Sequence, residues 1–380
     1  MSDVSWDDVR LEFPVAAETV YLDAAAVGPM PNFLRDAAIR AFTERQRPWS
    51  DAGVKIRARA QAAFGRFLGV DPGAVVFLAN TTDGINAAAN ALDWQAGDEV
   101  VVHDRDFPSN LIPWLRLQGR GVQVRAARSE DGVLTESAIE HELSKRTRLM
   151  AVSHVFYQSG FRIDLAALGQ RLHRDDILLA VDGIQALGLL QPDLTHVDFY
   201  SGAIYKGLCG PFGLGVFYVD PSVADRLTPD RVGYGSLNNP AMPWDGDMPY
   251  RAGSQRFQAA SVNYPALHAA ADMLEYLEAI GFERVTERIL ELAGRALARL
   301  AELEGIRVVT PRDRRSRLGI AAFQVSGLEA EAVAAALSAR GVRVAARDGN
   351  LRASFHIYNN DDDIDRLVQA VHAVAREERG

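Results

Sequence analysis

HVDFYSGAIYKGLCGPFGLGVFYV, residues 196–219, is the stretch on which the reading of this chain turns. An apolar run leads to Lys206, a turn carrying Gly210, Gly213 and Gly215 follows, and a second apolar run, GVFYV, closes the segment. A lysine at a strand end, next to glycines that let backbone come close, suits a Schiff base with the aldehyde of a bound ring compound. Upstream, LLAVDG sets Asp182 at the end of another apolar run. A carboxylate buried there needs a partner, because a lone buried charge is costly, and a protonated ring nitrogen is such a partner. Any one lysine is most often simply exposed near a turn; the surroundings decide otherwise.

Working outward, helical and strand signals alternate from about residue 56 to residue 220. Helical spacing over Arg57 to Leu68 precedes AVVFLAN, and Gly84 to Leu92 precedes DEVVVHD. Leu111 to Leu117 reads as a helix before VQVRAAR, Ser137 to Lys145 before LMAVSHV, and Leu165 to Leu172 before ILLAVDG. Continuous apolar strands between helices indicate an α/β architecture with a mainly parallel sheet covered on both faces. Ligands collect at the carboxyl ends of such strands, and Thr81, Asp106, His154, Asp182 and Lys206 all fall there. Residues 220–260 are rich in Pro, Gly and Asn and read as a long functional loop region, in which Tyr234, Trp244 and Tyr250 are candidates for shaping specificity. Two long helices follow, Tyr264 to Ile280 and Arg284 to Leu303. The end of the chain reads as strands IRVVT and GIAAFQV, a helix, strands VRVAAR and LRASFHI, and a last helix: a small α+β domain. The expected boundaries are an N-terminal segment 1–20 packing near the small domain, a large domain 21–260, a connecting helix 261–283 and the small domain 284–380.

At 380 residues the chain is long enough for two domains and a large core. A net charge of −9 with no basic stripe argues against nucleic acid as a partner. No apolar run is long enough to span a membrane, and the acidic start MSDVSWDDVRLEF has no signal-peptide core, so a cytoplasmic location is expected. The single cysteine, Cys209, excludes an intrachain disulfide, and the eight histidines lack metal-binding spacing, so no metal is expected.

Several runs, taken in order, resemble the class V aminotransferase family of pyridoxal-phosphate enzymes, which includes cysteine desulfurases, isopenicillin-epimerase-like proteins and kynureninase. The similarity extends from VYLDAAAVGPMP to the final helix. It implies the PLP-dependent transferase (aspartate aminotransferase-like) fold, pyridoxal 5′-phosphate as cofactor, a small amino-acid substrate and a homodimer with shared active sites. ANTTDGIN (79–86) opens a helix whose free amides make a phosphate seat, and the family's threonines there imply that Thr81 and Thr82 bind the phosphate. HDRDFPSNLIPW (103–114) resembles the segment that covers the cofactor ring, with Phe107 as the stacking face. In LLAVDGIQALG the resemblance puts Asp182 on the ring nitrogen and Gln185 on the phenolic oxygen. Tyr205 stands where many relatives have histidine and implies a hydroxyl on the phosphate. Ala203 replaces a phosphate-contacting serine, and RFQAASV makes Ser261 the residue offered by the neighbouring subunit. LRASFHIYNNDDDID (351–365) matches the family pattern whose arginine clamps the substrate carboxylate, which falls on Arg352.

Two departures matter. Desulfurases carry a nucleophilic cysteine on a loop upstream of that arginine, whereas GVRVAARDGNLR has none and no room for the loop; Cys209 reads as structural. Relatives also have SNxxG after strand 149–155, where this chain has FYQSG. Tyr157 takes the asparagine position and Gln158 is the candidate replacement. The resemblance therefore implies chemistry at the substrate Cα with Lys206 as catalytic base. Aminotransferase comes first, then β-eliminating (C–S) lyase or epimerase. A non-catalytic binding protein of the same fold is a further alternative, and a nicotinamide enzyme is disfavoured because no GxGxxG follows the first strand.

Overall fold

Apolar runs of four to seven residues build one wide sheet in the computed structural model, which describes residues 4–48, 51–238 and 249–377. The N-terminal segment ends in a short strand, β1 (Val20–Tyr21). The large sheet follows as β2 (Val75–Leu78), β3 (Glu99–His103), β4 (Gln123–Ala127), β5 (Thr147–Ser153), β6 (Leu178–Asp182), β7 (Phe199–Ala203) and β8 (Gly215–Val219). Its seven strands lie in the order β2-β8-β7-β6-β5-β3-β4. β3 to β7 pair in parallel, while β8 runs antiparallel to both of its neighbours. That reversal turns β2 the same way as β7, so the ends of β2, β3, β6 and β7 share one edge.

Alternate residues of each strand serve opposite faces. Val101, Met150 and Leu179 pack with Phe64, Met273 and Leu274 on one side. Val100, Leu149, Phe199 and Phe217 pack with Ile85, Ala88 and Trp114 on the other. The helix Thr81–Ala91 approaches the sheet closely because Gly84 leaves room: a Cβ there would sit 2.2 Å from Ser201 Oγ.

The small domain adds β9 (Ile306–Val308), β10 (Ile320–Val325), β11 (Val342–Arg343), β12 (Ala345–Arg347) and β13 (Asn350–Ser354). Four of these form a sheet ordered β12-β13-β10-β9. Helices Phe282–Ala301, Ala330–Ala339 and Asp361–Glu377 cover it through Leu292, Leu337, Leu367 and Val371. VRVAAR is therefore two strands, not one. Its first half pairs in parallel with β1, and its second half pairs with β13.

The N-terminal segment is tied down by more than β1. Arg10 holds Asp363 and the Tyr358 carbonyl, at 2.8 Å in each case. Further on, Gly28 N donates to Tyr205 O at 2.8 Å, and a Cβ on Gly28 would collide with Lys206 O. Helices Trp6–Leu11 and Asn32–Glu44 were not foreseen. The predicted helix over Leu111 to Leu117 is a turn of α-helix, Ile112–Leu115, passing into a 3₁₀ stretch, Arg116–Arg120, that ends at Gly121 in the left-handed region. No described helix is long and apolar enough to cross a membrane. Trp244 lies outside the described residues.

Candidate active site

The shared edge of the sheet collects buried polar groups that the rest of the fold does not satisfy. Lys206 follows β7 and is 9% exposed. Among the described residues it finds no hydrogen-bond acceptor, and its Nζ lies 5.8 Å from the ring centroids of both Phe107 and Tyr205. Burial lowers its pKa to about 8; Asp182 opposes that fall, and the charges of Arg352 and Arg347 add to it.

Asp182 ends β6 and is almost fully buried, with Oδ1 accepting from Ile184 N at 2.9 Å. Burial raises its pKa to about 7, against the Ile184 amide; nearby Asp106 raises it further, and Lys206 lowers it. A carboxyl in that state gains from a cationic N–H donor. Asp106, noted in the sequence only for its place at a strand end, accepts from Phe107 N, Asn110 Nδ2, Ser153 N and Ser153 Oγ. Those bonds fix the Phe107 turn to β5.

At the end of β2, Asn80 caps the helix through the Asp83 amide at 2.9 Å. Thr81 Oγ1 is buried with no partner among the described residues, at the start of a helix whose first amides have no acceptor within the helix. Tyr205 stacks on Phe212 at 4.6 Å, and its hydroxyl makes no hydrogen bond among the described residues. Gln185 donates to Ala25 O at 3.0 Å and shares a small cavity with Lys206, Ser354 and His356.

Arg352 is 1% exposed. Nη2 meets Asp23 at 3.1 Å, Nη1 meets the Tyr157 carbonyl at 3.0 Å, and Nε is buried without a partner. Burial lowers its pKa and Asp23 counters that. Asp23 was missed in sequence, although it sits in the quoted run VYLDAAAVGPMP; nothing local announces a partner 329 residues away.

Gln158 is not brought to this group. Its amide is committed to Arg105 O at 2.6 Å and Asp348 Oδ2 at 2.7 Å, and it lines a separate cavity of about 200 Å³ with His103 and Asn350. Tyr157 donates to the same Asp348 oxygen at 3.0 Å and meets the Phe107 ring edge-on at 5.3 Å. Ser261 is exposed, bonded to Tyr234 Oη at 2.7 Å, and lines yet another cavity with Ala79, Asp83 and Gly213. Cys209 is fully buried, with Sγ 3.6 Å from His356 Nε2, and that burial pushes its thiol pKa well up. β12 and β13 are joined directly through Asp348 and Gly349, both at positive φ, which leaves no loop for a nucleophile.

The family model for class V aminotransferases matches residues 20–367, and the chain belongs to that family. It is accordingly a pyridoxal 5′-phosphate enzyme. A probable cysteine desulfurase of Methanothermobacter thermautotrophicus is 28% identical over 97% of this chain and 98% of its own length. The apo cysteine desulfurase of Thermococcus onnurineus superposes with a TM-score of 0.89 at 25% identity, covering 97% and 98% of the two chains. The cystine C–S lyase C-DES, in complex with its product cysteine persulfide, superposes at 0.87 with 22% identity over 95% and 99%, a likeness of fold. The orphaned Thr81 hydroxyl, the raised Asp182 carboxyl and the unpartnered Lys206 amine match the phosphate, ring nitrogen and aldehyde of that cofactor.

Proposed function

We propose that this protein is an aminotransferase acting on an α-amino acid, with Lys206 as its catalytic base. The observation that carries chemistry at the substrate Cα, which both this reading and the next share, is the lysine itself: buried, without an acceptor among the described residues, and lowered to about 8 beside a carboxyl raised to about 7. When bound, pyridoxal 5′-phosphate supplies an electron-accepting ring to which a substrate amine attaches through the aldehyde carbon. Thr81, Thr82, the amides of their helix and the Tyr205 hydroxyl hold its phosphate. Phe107 covers one ring face, Asp182 keeps the ring nitrogen protonated, and Gln185 faces the phenolic oxygen. Arg352 takes the substrate carboxylate on its free N–H groups, which sets the Cα–H bond toward the lysine. Lys206 Nζ, uncharged at mildly alkaline pH, accepts the Cα proton and holds it for return. A second copy of the chain supplies Ser261 to the phosphate, a role that its exposure on this chain supports.

A second reading is β-elimination at a C–S bond, favoured by the relatives named cysteine desulfurases and by C-DES. Persulfide formation on the protein is not part of either reading, since the one cysteine is buried. The test is incubation of the holoenzyme with single amino acids. Transamination gives the keto acid and the pyridoxamine form of the cofactor without free ammonia. Elimination gives keto acid together with ammonia and the released sulfur leaving group, and excludes the first reading.

A further inference from the structure

Arg347 ends β12, one strand away from Arg352, and the register decides where it points. Ala345 pairs with Arg352, and Arg347 pairs with Asn350. Paired residues of an antiparallel ladder share a face, so Arg347, Asn350 and Arg352 all lie on one side of the small sheet. The opposite side carries Ala346, Leu351 and Ala353, which pack into the small-domain core. The arginines therefore face the large domain. Arg352 is flanked on its two neighbouring strands by the small side chains of Ala345 and Ala322.

Arg347 differs from Arg352 in its charge balance. Arg352 has Asp23. Arg347 is exposed, donates only to the Ala346 carbonyl, and has no carboxylate partner among the described residues. The carboxylate next to it in sequence, Asp348, is occupied by Tyr157 and Gln158. An arginine at a strand end is ordinary on a protein surface. This one is set apart by its place on the face that carries Arg352, with its positive charge within electrostatic range of both Lys206 and Arg352. Two residues along and one strand across, the Cα atoms of Arg347 and Arg352 lie about 8 Å apart. Two long guanidinium side chains over that span suit two carboxylates a few bonds apart.

We propose that Arg347 reads a second anionic group on the substrate, so that the preferred substrate is an acidic α-amino acid with its α-carboxylate on Arg352 and its side-chain acid on Arg347. This rests on the cofactor and carboxylate-clamp reading above.

The experiment uses the intact holoenzyme, first checked for a visible cofactor band. L-aspartate and L-glutamate are titrated against L-asparagine and L-glutamine, following both the spectral change (apparent Kd) and kcat/KM. The acids are expected to be favoured over their amides by about tenfold or more, the size of a charge-assisted contact. Arg347→Gln weakens binding of the acids by about the same factor and leaves the amides within about twofold, while Arg347→Lys restores part of the acid preference. Equal treatment of acids and amides by the wild type, or an equal loss for both in Arg347→Gln, overturns the proposal while the band persists. A protein that takes up no cofactor overturns the underlying reading and this one with it.

Discussion

Burial acts in opposite directions on the two ionisable groups at the centre of the pocket. It lowers Lys206 to about 8 and raises Asp182 to about 7, because each loses its hydration in the charged form. For Lys206 the consequence is kinetic. An amine attacks an aldehyde only when neutral, so capture of added pyridoxal phosphate by the apo-protein accelerates with pH and levels off above about 8, as stopped-flow absorbance would read. Lys206→Ala is expected to lose the borohydride-sensitive band and to lower turnover by at least about 10²- to 10⁴-fold, the usual contribution of a positioned base. For Asp182 the consequence is thermodynamic. Its folded pKa lies above the unfolded value of 3.8, so its contribution to stability is complete below about 4 and is lost as pH rises through about 7. The melting temperature of the apo-protein should therefore fall between those limits. In Asp182→Asn that part of the fall should vanish; an unchanged slope in the variant would show that the acid is not held in its neutral form.

At the scale of single elements, the parallel strands were legible because both faces of the sheet are buried, and residues 149–152 and 178–181 are unbroken apolar runs. The helix Thr81–Ala91 was legible from its cap and its small residues. VRVAAR was not, since its division between two sheets depends on partners at Val20 and Asn350 rather than on its own propensity. The partner of Gln158 was hidden for the same kind of reason: only the folded chain shows that Asp348, at the tip of a distant hairpin, accepts from its amide. Arg352 was singled out from its motif, whereas Asp23, the carboxylate it meets, was not. The fit of the Thr81 helix to the sheet yields a prediction of its own. Gly84→Val would press a branched side chain onto Ser201 and Phe217, displacing the helix start that carries Thr81. A loss of about 1–3 kcal/mol in urea unfolding is expected from overpacking, together with weaker cofactor retention on dialysis. Loss of stability with normal retention would mean that the phosphate is seated elsewhere.

Across the whole molecule, the pocket is assembled from segments that meet only after the chain has folded around both domains. Lys206 and Asp182 come from the large sheet and Arg352 from the small one, and the segment before residue 30 touches both. It gives β1 to β11, Asp23 to Arg352, and Gly28 to the Tyr205 carbonyl. Its outer anchor is Arg10, whose guanidinium forks onto both oxygens of Asp363, at 2.8 and 3.1 Å, with the carboxylate 3% exposed. Removing one partner of a buried pair leaves the other charge uncompensated, which commonly costs about 3–5 kcal/mol. Asp363 keeps hydrogen bonds from Asn359 Nδ2 and Asn360 N, so Arg10→Ala should fall below that range, at about 2–3 kcal/mol. The measurement is paired: chemical unfolding for the size of the loss, and limited proteolysis for its place. Cleavage should begin in the N-terminal segment while the large sheet stays resistant, and substrate affinity should decline before the cofactor band does, because the loosened segment carries Asp23, the partner of Arg352, whereas Lys206 and Asp182 come from the large sheet.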